Sequence, residues 1–368
     1  MSGFRPTVAD IDLTAIRHNI EALRPPGIEL MAVVKANGYG HGDVPVARAA
    51  VDAGATWLGV ALVEEGIRLR EAGIVAPILV LSEFPPDSAK EALHAALTPS
   101  VYSTEGVEAI AGAAEALGAT PEVHIKVDTG MHRVGIDPTE AVELARSIGR
   151  RGLLLGGVWT HLARAEELLD PTTAVQLERF RDVLGELEAS GLRPRYRHAA
   201  NSAAAIGWPE SHFDLVRVGV AIYGISPGPE LDGRVDLRPA MSLRSTVSHV
   251  RRLGEGEAVS YGHRYRLERA STIATVPVGY ADGYFRALST AGRVLIGGRR
   301  YPLAGTITMD QVLVDCGDDP VERGDQVVLF GRQGDEEIRV EEVAAWLGTI
   351  GYEVVCAISA RVPRKHHG

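Results

Sequence analysis

The chain has 368 residues, a formal net charge of -10 and 45% hydrophobic residues. A length above the usual size of one hydrophobic core favours two domains, and the acidic balance argues against nucleic acid or an acidic membrane surface as a partner. No run of about 18 apolar residues is present to span a bilayer, and the first ten residues lack the apolar core of a signal peptide, so we expect a cytoplasmic protein. Cys316 and Cys356 are too few and too isolated to indicate a disulfide framework or a zinc site, and we expect both in the core.

Over the first two-thirds of the chain, short apolar runs alternate with amphipathic segments of helical length. Helices are predicted over 63–72, 104–117, 139–148 and 176–189, with closing glycines at 73, 118, 149 and 191. Strands are predicted over 30–35, 57–62, 77–81, 97–102, 122–127, 153–160, 196–200 and 213–218. Eight parallel strands separated by helices predict a (β/α)8 TIM-like barrel over residues 1–237, with a doubly wound parallel sheet as the alternative.

Proline and glycine interrupt this pattern between residues 224 and 239, and the remaining runs predict a mostly β domain over residues 238–368. Its strands are predicted over 243–250, 271–278, 293–296, 306–314 and 326–330, with one helix over 340–347. Residues 6–13 predict a further strand, and residues 1–12 are thus available to pair with this second domain. The basic run over 364–367 predicts a solvated tail rather than a metal site.

Polar residues follow the apolar runs where a barrel would place an active site, at the carboxyl ends of its strands. Lys35 ends the first run, and a glycine-rich stretch follows over 38–42 that lacks the spacing of a dinucleotide or P-loop motif and predicts a flexible lip. The later runs end in further candidates: Lys126 and Asp128, His161, Asn201 and Ser202, and Arg217.

The chemistry of these residue types favours a carbonyl cofactor or substrate and a bound phosphate. A lysine amine at a strand end can form a Schiff base with an aldehyde once its proton is removed, although a solvated lysine is the commoner environment. Loops after the last two strands of this fold commonly hold a phosphate, for which the Ser202 hydroxyl and the backbone N–H groups after Arg217 are suitable donors. Ser202 taken alone is more often a helix cap.

Eight short motifs carry a family resemblance over essentially the whole chain. They are AVVKANGYGH at 32–41, KVDTGMHRVG at 126–135, ANS at 200–202, RVG at 217–219, SYG at 260–262, GYADG at 279–283, MDQ at 309–311 and YE at 352–353. In this order, across two domains, the chain resembles the bacterial alanine racemases, whose fold is a (β/α)8 barrel followed by a β domain.

The resemblance implies an isomerase that uses pyridoxal 5'-phosphate to interconvert L-alanine and D-alanine and so supplies D-alanine for peptidoglycan. Lys35 would hold the cofactor as a Schiff base and act as the base on one face of the substrate's α-carbon. Inversion needs a second acid/base on the opposite face, because one group acting from one side restores the starting hand. By resemblance that group is Tyr261.

The resemblance also implies the roles of the surrounding residues. Tyr261 would contact His161, His161 would contact Arg217, and Arg217 would face the pyridine nitrogen. Phosphate contacts would come from Tyr39, Ser202, Gly219, Val220 and Tyr352. Substrate carboxylate contacts would come from Arg133 and from the backbone N–H of Met309. Lys126 is implied as a lysine that carries a carbamate, which would offset its repulsion of Arg133.

Tyr261 and Met309 lie in the second domain, and the family brings them to the barrel of the partner subunit in a head-to-tail homodimer with shared sites. Two positions depart from the family pattern, Thr308 where many relatives have cysteine and His132 where glycine is frequent. Three alternative functions remain open: a serine or broader-specificity racemase, a pyridoxal-phosphate decarboxylase of related architecture, and a non-catalytic pyridoxal-phosphate carrier. No metal, nucleic acid or membrane partner is expected.

Overall fold

The computed structural model describes residues 5–368, and its contacts divide them into two compact units. One unit contains Ile16–Gly38 and Asp43–Arg238, and the other contains residues 5–15, Tyr39–Gly42 and Pro239–Gly368. Among the helices in this described range, none is long and apolar enough to cross a membrane. Within the same range, no three His, Cys, Asp or Glu side chains are grouped as a metal site would require.

The chain begins with β1 (Val8–Asp12) and α1 (Leu13–Leu23), and eight parallel strands follow in the first unit. These are β2 (Glu29–Val33), β3 (Trp57–Val60), β4 (Ile78–Val80), β5 (Thr98–Val101), β6 (Glu122–Lys126), β7 (Leu154–Trp159), β8 (Tyr196–His198) and β9 (Leu215–Val218). Each of β2 to β7 pairs with the next strand, and β9 pairs back with β2. Backbone N–H groups of Asp214 and Arg217 donate to Arg197 and Ala200 and close the ring. The predicted barrel is confirmed.

The segments between these strands are mostly helical. They are α2 (Lys35–Tyr39), α3 (Asp43–Asp52), α4 (Val63–Glu71), α5 (Ala89–His94), α6 (Thr104–Leu117), α7 (Ala141–Arg150), α8 (Thr172–Ala189) and α9 (Ser202–Gly207). Gly118 closes α6 with φ 63°, as predicted. Gly149 does not close α7, because it lies inside that helix, and the left-handed position comes at Gly152 with φ 75°.

The interior of the barrel is filled by rows of side chains from strands in register. Side chains of in-register residues on neighbouring parallel strands share a face. One row contains Ser100, His124, Gly157 and Tyr196, and the row nearer the carboxyl ends contains Lys126, Trp159 and His198. Polar side chains therefore replace part of the apolar filling in the upper half of this barrel.

The second unit is mostly β. Its strands after β1 are β10 (Met241–Thr246), β11 (His249–Leu253), β12 (Ala258–Val259), β13 (Tyr265–Arg266), β14 (Ser271–Val276), β15 (Arg293–Ile296), β16 (Arg299–Pro302), β17 (Val312–Asp315), β18 (Gln326–Gln333), β19 (Glu336–Ile338) and β20 (Arg364–His367). Its helices are α10 (Val340–Leu347) and α11 (Gly351–Cys356). The largest sheet has the order β16, β15, β18, β10, β1, β20, with β19 beside β18, and β11, β14 and β17 form a second sheet.

Several predictions for this unit are wrong in their local detail. The run 243–250 is two strands, because the Val247 N–H donates to Asp325 while the Ser248 N–H donates to Thr275, so the backbone changes partner between them. Residues 306–311 are not part of a strand, since a turn closed by the Thr308 N–H and the Gln311 carbonyl occupies them.

The segment 364–367 is also not a solvated tail. It forms β20, which pairs in parallel with β1 through backbone hydrogen bonds that its polar sequence does not indicate. The two cysteines differ as well, because Cys316 is buried whereas Cys356 is exposed on α11. Helix α11 itself was not predicted.

Candidate active site

Lys35 lies two residues beyond the last residue of β2, where the backbone enters an unusual turn. Ala36, Asn37 and Gly38 have φ of 53°, 55° and 59° with ψ between 46° and 49°, which is a left-handed helical conformation. Such a conformation costs about 1–2 kcal/mol per residue with a Cβ, so it persists only where surrounding contacts hold it. One such contact comes from Glu65.

The Glu65 carboxylate is buried at the start of α4 and accepts three backbone N–H groups. They belong to Ala36 at 2.6 Å, Ala61 at 2.9 Å and Leu62 at 3.2 Å. The ends of β2 and β3 are thereby joined to the first turn of α4. This fixes the peptide that follows Lys35.

The stretch 39–42 is not the flexible lip that its glycines predict. Tyr39 is buried with its ring centroid 6.2 Å from that of Tyr352 on α11. Arg364 donates from Nε to the Gly40 carbonyl at 2.9 Å, and His366 Nε2 lies 2.7 Å from the His41 carbonyl. At Gly40, where φ is 81°, a Cβ would overlap the backbone of Val355. The two tyrosines implied as phosphate ligands are therefore held side by side.

Arg217 on β9 is buried in the barrel and surrounded by uncharged acceptors. Its Nη2 donates to the carbonyls of Thr160 at 2.8 Å and Ala199 at 3.0 Å and lies 3.3 Å from His161 Nδ1, while Nη1 lies 3.2 Å from His198 Nδ1. Burial lowers the pKa of Arg217 to about 9, which still leaves the guanidinium charged at neutral pH. The implied contact of Arg217 with His161 is present.

The protonation of His161 follows from this contact. The two Nη2 hydrogens of Arg217 point to the carbonyls of Thr160 and Ala199, and His161 Nδ1 shares one of them as a longer contact. Because arginine only donates, Nδ1 is the acceptor, and Nε2 of a neutral ring then carries the proton. Burial and the charge of Arg217 lower the pKa of His161 well below its usual range, so the imidazole stays neutral. His161 therefore offers an N–H donor on the side away from Arg217.

Lys126 at the end of β6 is a buried amine among cations. Its Nζ lies 4.6 Å from the centroid of the Trp159 ring, and Arg217 Cζ also lies 4.6 Å from that centroid. Burial and the charges of Arg133, Arg217 and Lys35 lower the pKa of Lys126 to about 8. A lysine with this environment is unusually easy to deprotonate.

The loop after β6 is shaped by Asp128. Its Oδ1 accepts the backbone N–H groups of Gly130, Met131 and His132 at 3.0–3.1 Å. Burial raises the pKa of this carboxyl, but the bonds from His132 and Gly130 outweigh it and lower the pKa. His132 has φ 54°, and its Nδ1 lies 3.2 Å from Asp128 Oδ2. His132 thus adopts a left-handed backbone conformation at a position where the family often has glycine, and its imidazole contacts Asp128. The loop leaves Arg133 exposed.

The implied phosphate residues Ser202, Gly219 and Val220 are in contact in the barrel. The Gly219 N–H donates to Ser202 Oγ at 2.9 Å, and Ser202 lies at the first position of α9. The cap of α9 is Asn201, whose Oδ1 accepts the Ala204 N–H at 3.0 Å, so Ser202 is not the helix cap that its type suggests. Its hydroxyl still carries a hydrogen to donate.

Tyr261 and Met309 lie in the second unit with exposed side chains, 73% and 52% accessible. The Tyr280 N–H donates to the Thr308 carbonyl and the Ala281 N–H to the Met309 carbonyl, both at 3.1 Å. The Thr308 carbonyl and the Met309 N–H belong to one trans peptide, so they point in opposite directions. The Met309 N–H is thus held facing away from Tyr280.

Three residues of the barrel site were missed by the sequence analysis: Glu65, His124 and His198. The two histidines are in strands at positions i-2 from Lys126 and i+2 from Tyr196, so the period of two places them on the interior face. The period of two along β6 and β8 could have identified both histidines as interior residues. It was not used, because these two strands were treated as uniformly apolar. Glu65 had the signal of a carboxylate in the first turn of a helix.

The fold and these side chains define a class, barrel-plus-β enzymes with a lysine at the end of the first barrel strand. The alanine racemase N-terminal domain model matches residues 11–227 and the alanine racemase C-terminal domain model matches residues 240–366. The chain belongs to the alanine racemase family, a family of isomerases. Members of this family use pyridoxal phosphate and are generally dimeric.

Individual relatives agree over the full length. The chain is 50% identical to an alanine racemase of Symbiobacterium thermophilum, covering 100% of this chain and 99% of the relative. An alanine racemase crystal structure from D-cycloserine-producing Streptomyces lavendulae matches with a TM-score of 0.95 and 43% identity, covering 100% and 98%. The Bacillus anthracis alanine racemase with bound L-Ala-P matches with a TM-score of 0.93 and 39% identity, covering 100% and 96%.

Proposed function

We propose that this protein interconverts L-alanine and D-alanine with pyridoxal 5'-phosphate bound to Lys35. The observation that carries the proposal is Arg217, a buried charged donor between two neutral histidines at the carboxyl ends of the barrel strands. A pyridine nitrogen is an acceptor suited to such a donor. Close relatives over the full length are named alanine racemases, which supports alanine as the substrate.

The residues present fit this cofactor. Lys35 supplies the amine, Arg217 a donor for the ring nitrogen, and the Ser202 hydroxyl and the Val220 N–H supply donors for the phosphate. The Gly219 N–H donates to Ser202 Oγ and would orient that hydroxyl. The paired rings of Tyr39 and Tyr352 would add their hydroxyls to that phosphate. When bound to the substrate amine, pyridoxal phosphate spreads the negative charge left on the α-carbon after proton loss into its ring.

The chain supplies the two bases on opposite faces of the α-carbon. We assign Lys35 to one face and Tyr261, from the partner subunit of a head-to-tail dimer, to the other. The N–H that His161 offers at Nε2 would donate to the Tyr261 oxygen and favour its deprotonated form. The Tyr261 oxygen could then accept the proton from the α-carbon.

Arg217 would also determine whether the reaction gives racemised alanine or pyruvate. The Arg217 guanidinium donates a hydrogen bond without readily giving up a proton, so it would hold the ring nitrogen without protonating it and would limit how strongly the ring withdraws charge. Return of the proton to the α-carbon is then favoured over transfer elsewhere. Replacing Arg217 with Glu should increase pyruvate formation from alanine, and an unchanged partition between racemisation and pyruvate would contradict this role.

The substrate carboxylate would be held by Arg133 and by the outward-facing N–H of Met309. Gly279 keeps that N–H in place, because a Cβ there would overlap the carbonyls of Thr308 and Met309. Lys126, with its lowered pKa, would carry a carbamate that converts its charge from positive to negative. The anion would then orient Arg133 instead of repelling it.

The test is racemisation of L-alanine in heavy water by the purified holoenzyme. We expect D-alanine with deuterium at the α-carbon, and loss of this activity in Lys35→Ala and Tyr261→Phe. Lys90→Ala and Tyr265→Phe are matched controls, because Lys90 is exposed on α5 and the Tyr265 hydroxyl bonds Asp315 instead. Wild-type racemisation by Tyr261→Phe would exclude the two-base assignment, and faster turnover of serine or larger amino acids would exclude alanine as the preferred substrate.

A further inference from the structure

Two buried histidines extend inward from Arg217, and the proposed reaction gives neither a role. Arg217 Nη1 lies 3.2 Å from His198 Nδ1, and His198 Nε2 lies 3.0 Å from His124 Nδ1. Both imidazoles have no accessible surface. The two contacts form a single chain from the guanidinium to the interior row of the barrel.

The direction of every hydrogen bond in this chain is fixed by chemistry. Arginine cannot accept, so Nδ1 of His198 must accept and its Nε2 must carry a proton. That N–H donates to Nδ1 of His124, so the proton of His124 is on Nε2. Both rings must be neutral, and burial lowers the pKa of His124 to about 3 and that of His198 well below its usual range.

The interior of the barrel leaves space for this chain of hydrogen bonds. Gly157 lies in register between His124 and Tyr196, and a Cβ at Gly157 would lie 2.5 Å from His124 Nδ1. His198 stacks on Trp159 with centroids 5.7 Å apart and 10° between planes. The missing side chain at Gly157 leaves the space through which the two histidines meet.

The hydrogen-bonded chain ends at His124 with an unpaired polar atom, which destabilises the fold and which an apolar side chain would avoid. Nε2 of His124 is buried and has no hydrogen-bond partner within residues 5–368. A buried N–H without an acceptor is destabilising, so a leucine at this position would pack the barrel more favourably. What histidine supplies here, and leucine does not, is the acceptor for His198.

We propose that His198, held in its Nε2-protonated tautomer by His124 across Gly157, is a positioning residue that orients the Arg217 guanidinium toward the cofactor's ring nitrogen. This rests on the proposed function for the identity of the ring, but the tautomer chain itself does not. Without the acceptor at His198 Nδ1, one N–H of Arg217 would be buried unpaired and the guanidinium would turn to find a partner.

The first test reads the tautomers directly in the holoenzyme. Two-bond proton–nitrogen correlation spectra of protein labelled with 15N-histidine distinguish Nδ1-protonated, Nε2-protonated and charged rings. We expect His198 and His124, assigned by His198→Gln and His124→Leu, to be Nε2-protonated and not to titrate between pH 6 and about 8. An Nδ1-protonated or titrating His198 would overturn the proposal, whether or not alanine is the substrate.

The second test asks whether the chain acts on Arg217. His198→Leu removes the acceptor, whereas His198→Gln keeps one in its carbonyl oxygen. We expect His198→Leu to lower kcat about 10- to 100-fold, with KM for alanine within about twofold and a shifted absorbance maximum of the bound cofactor. His198→Gln should recover most of kcat.

Gly157→Ala extends this test while leaving both histidines in the sequence. The added methyl group would push His124 away from His198. We expect the same change of absorbance and tautomer, with a smaller loss of kcat. Ser211→Ala is the control, since it removes buried hydrogen bonds of 2.6 and 3.5 Å to the carbonyls of Trp208 and Ala204 elsewhere in the barrel. Wild-type kcat and absorbance in His198→Leu, or equal effects in Ser211→Ala, would show that the chain is only structural.

Discussion

Lys126 illustrates how one residue's surroundings change its chemistry. Its pKa of about 8 leaves a substantial neutral fraction at pH 8, and only a neutral amine reacts with CO2. We expect 13C-bicarbonate to give a carbamate signal in the carbon NMR spectrum of the protein, absent in Lys126→Ala and retained in Lys90→Ala. A signal that survives Lys126→Ala would assign the carbamate elsewhere, and no signal in the wild type would leave Lys126 a cation.

His124 makes a separate prediction about stability and pH. Its pKa is about 3 in the folded protein and near 6.5 in the unfolded chain. Below pH 6.5 the unfolded chain binds a proton that the folded protein does not, so the free energy of unfolding falls as pH drops, by up to ~1.4 kcal/mol per pH unit.

Urea unfolding between pH 7.5 and 5 measures this dependence. Carboxylates contribute to the slope as well, so the comparison is with His124→Leu, which should show a slope smaller by about one proton near pH 5. Parallel slopes for the two proteins would mean that His124 is protonated inside the barrel.

The residue scale also shows where sequence patterns are informative and where they are not. Lys35 was found because it ends an apolar run, and Arg217 because it lies at the end of the last barrel strand. His198 was missed because a lone histidine at the end of a strand has the same pattern whether it fills the core or supports an arginine. Only the contact with Arg217 in the folded structure separates those cases.

At the scale of elements, α6 offers a matched pair of glycines. Gly118 closes the helix with φ 63°, and Gly112 lies exposed inside it, and an added Cβ would touch nothing within 4 Å at either position. Gly112→Ala should raise the free energy of unfolding by ~0.5–1 kcal/mol through better helix propensity, whereas Gly118→Ala should lower it by ~1 kcal/mol through left-handed strain. Thermal denaturation of the two variants checks the opposite signs, and a stabilised Gly118→Ala would contradict the cap.

Helices and strands with a periodic pattern of apolar side chains were predicted well. Elements that form because their backbone groups find partners elsewhere in the chain were not. All eight barrel strands come from apolar runs, although the runs overreach the paired residues at their ends. Strand β20 has no apolar period and exists because β1 offers an unpaired edge. The left-handed turn after Lys35 was also not predicted. Asn37 and Gly38 are residue types that adopt positive φ, but Ala36 is not, and three such residues in succession follow from their contacts and not from their types.

At the scale of the whole molecule, the proposed dimer with shared sites predicts complementation between inactive variants. Lys35→Ala lacks one base and Tyr261→Phe the other, so each homodimer has two defective sites. In a mixed dimer one site would combine intact Lys35 with intact Tyr261. Random exchange of subunits makes half of the dimers mixed, so activity should return to about a quarter of the wild-type value.

The measurement is alanine racemisation before and after co-refolding or slow exchange of the two variants at equal concentration. Mixing Lys35→Ala with Lys35→Met should restore nothing and serves as the control. Absence of recovery, with exchange verified by differently labelled subunits, would place both bases of each site in one chain.

The pairing of strand β20 links the carboxyl terminus of the protein to the retention of its cofactor. Arg364 and His366 contact the carbonyls of Gly40 and His41, the two residues that follow Tyr39. A carboxypeptidase that trimmed the chain back past Arg364 would therefore loosen Tyr39, the proposed phosphate ligand, more than 300 positions earlier. Such a clipped protein would first be recognised by cofactor leaking out during dialysis, while its barrel remained folded.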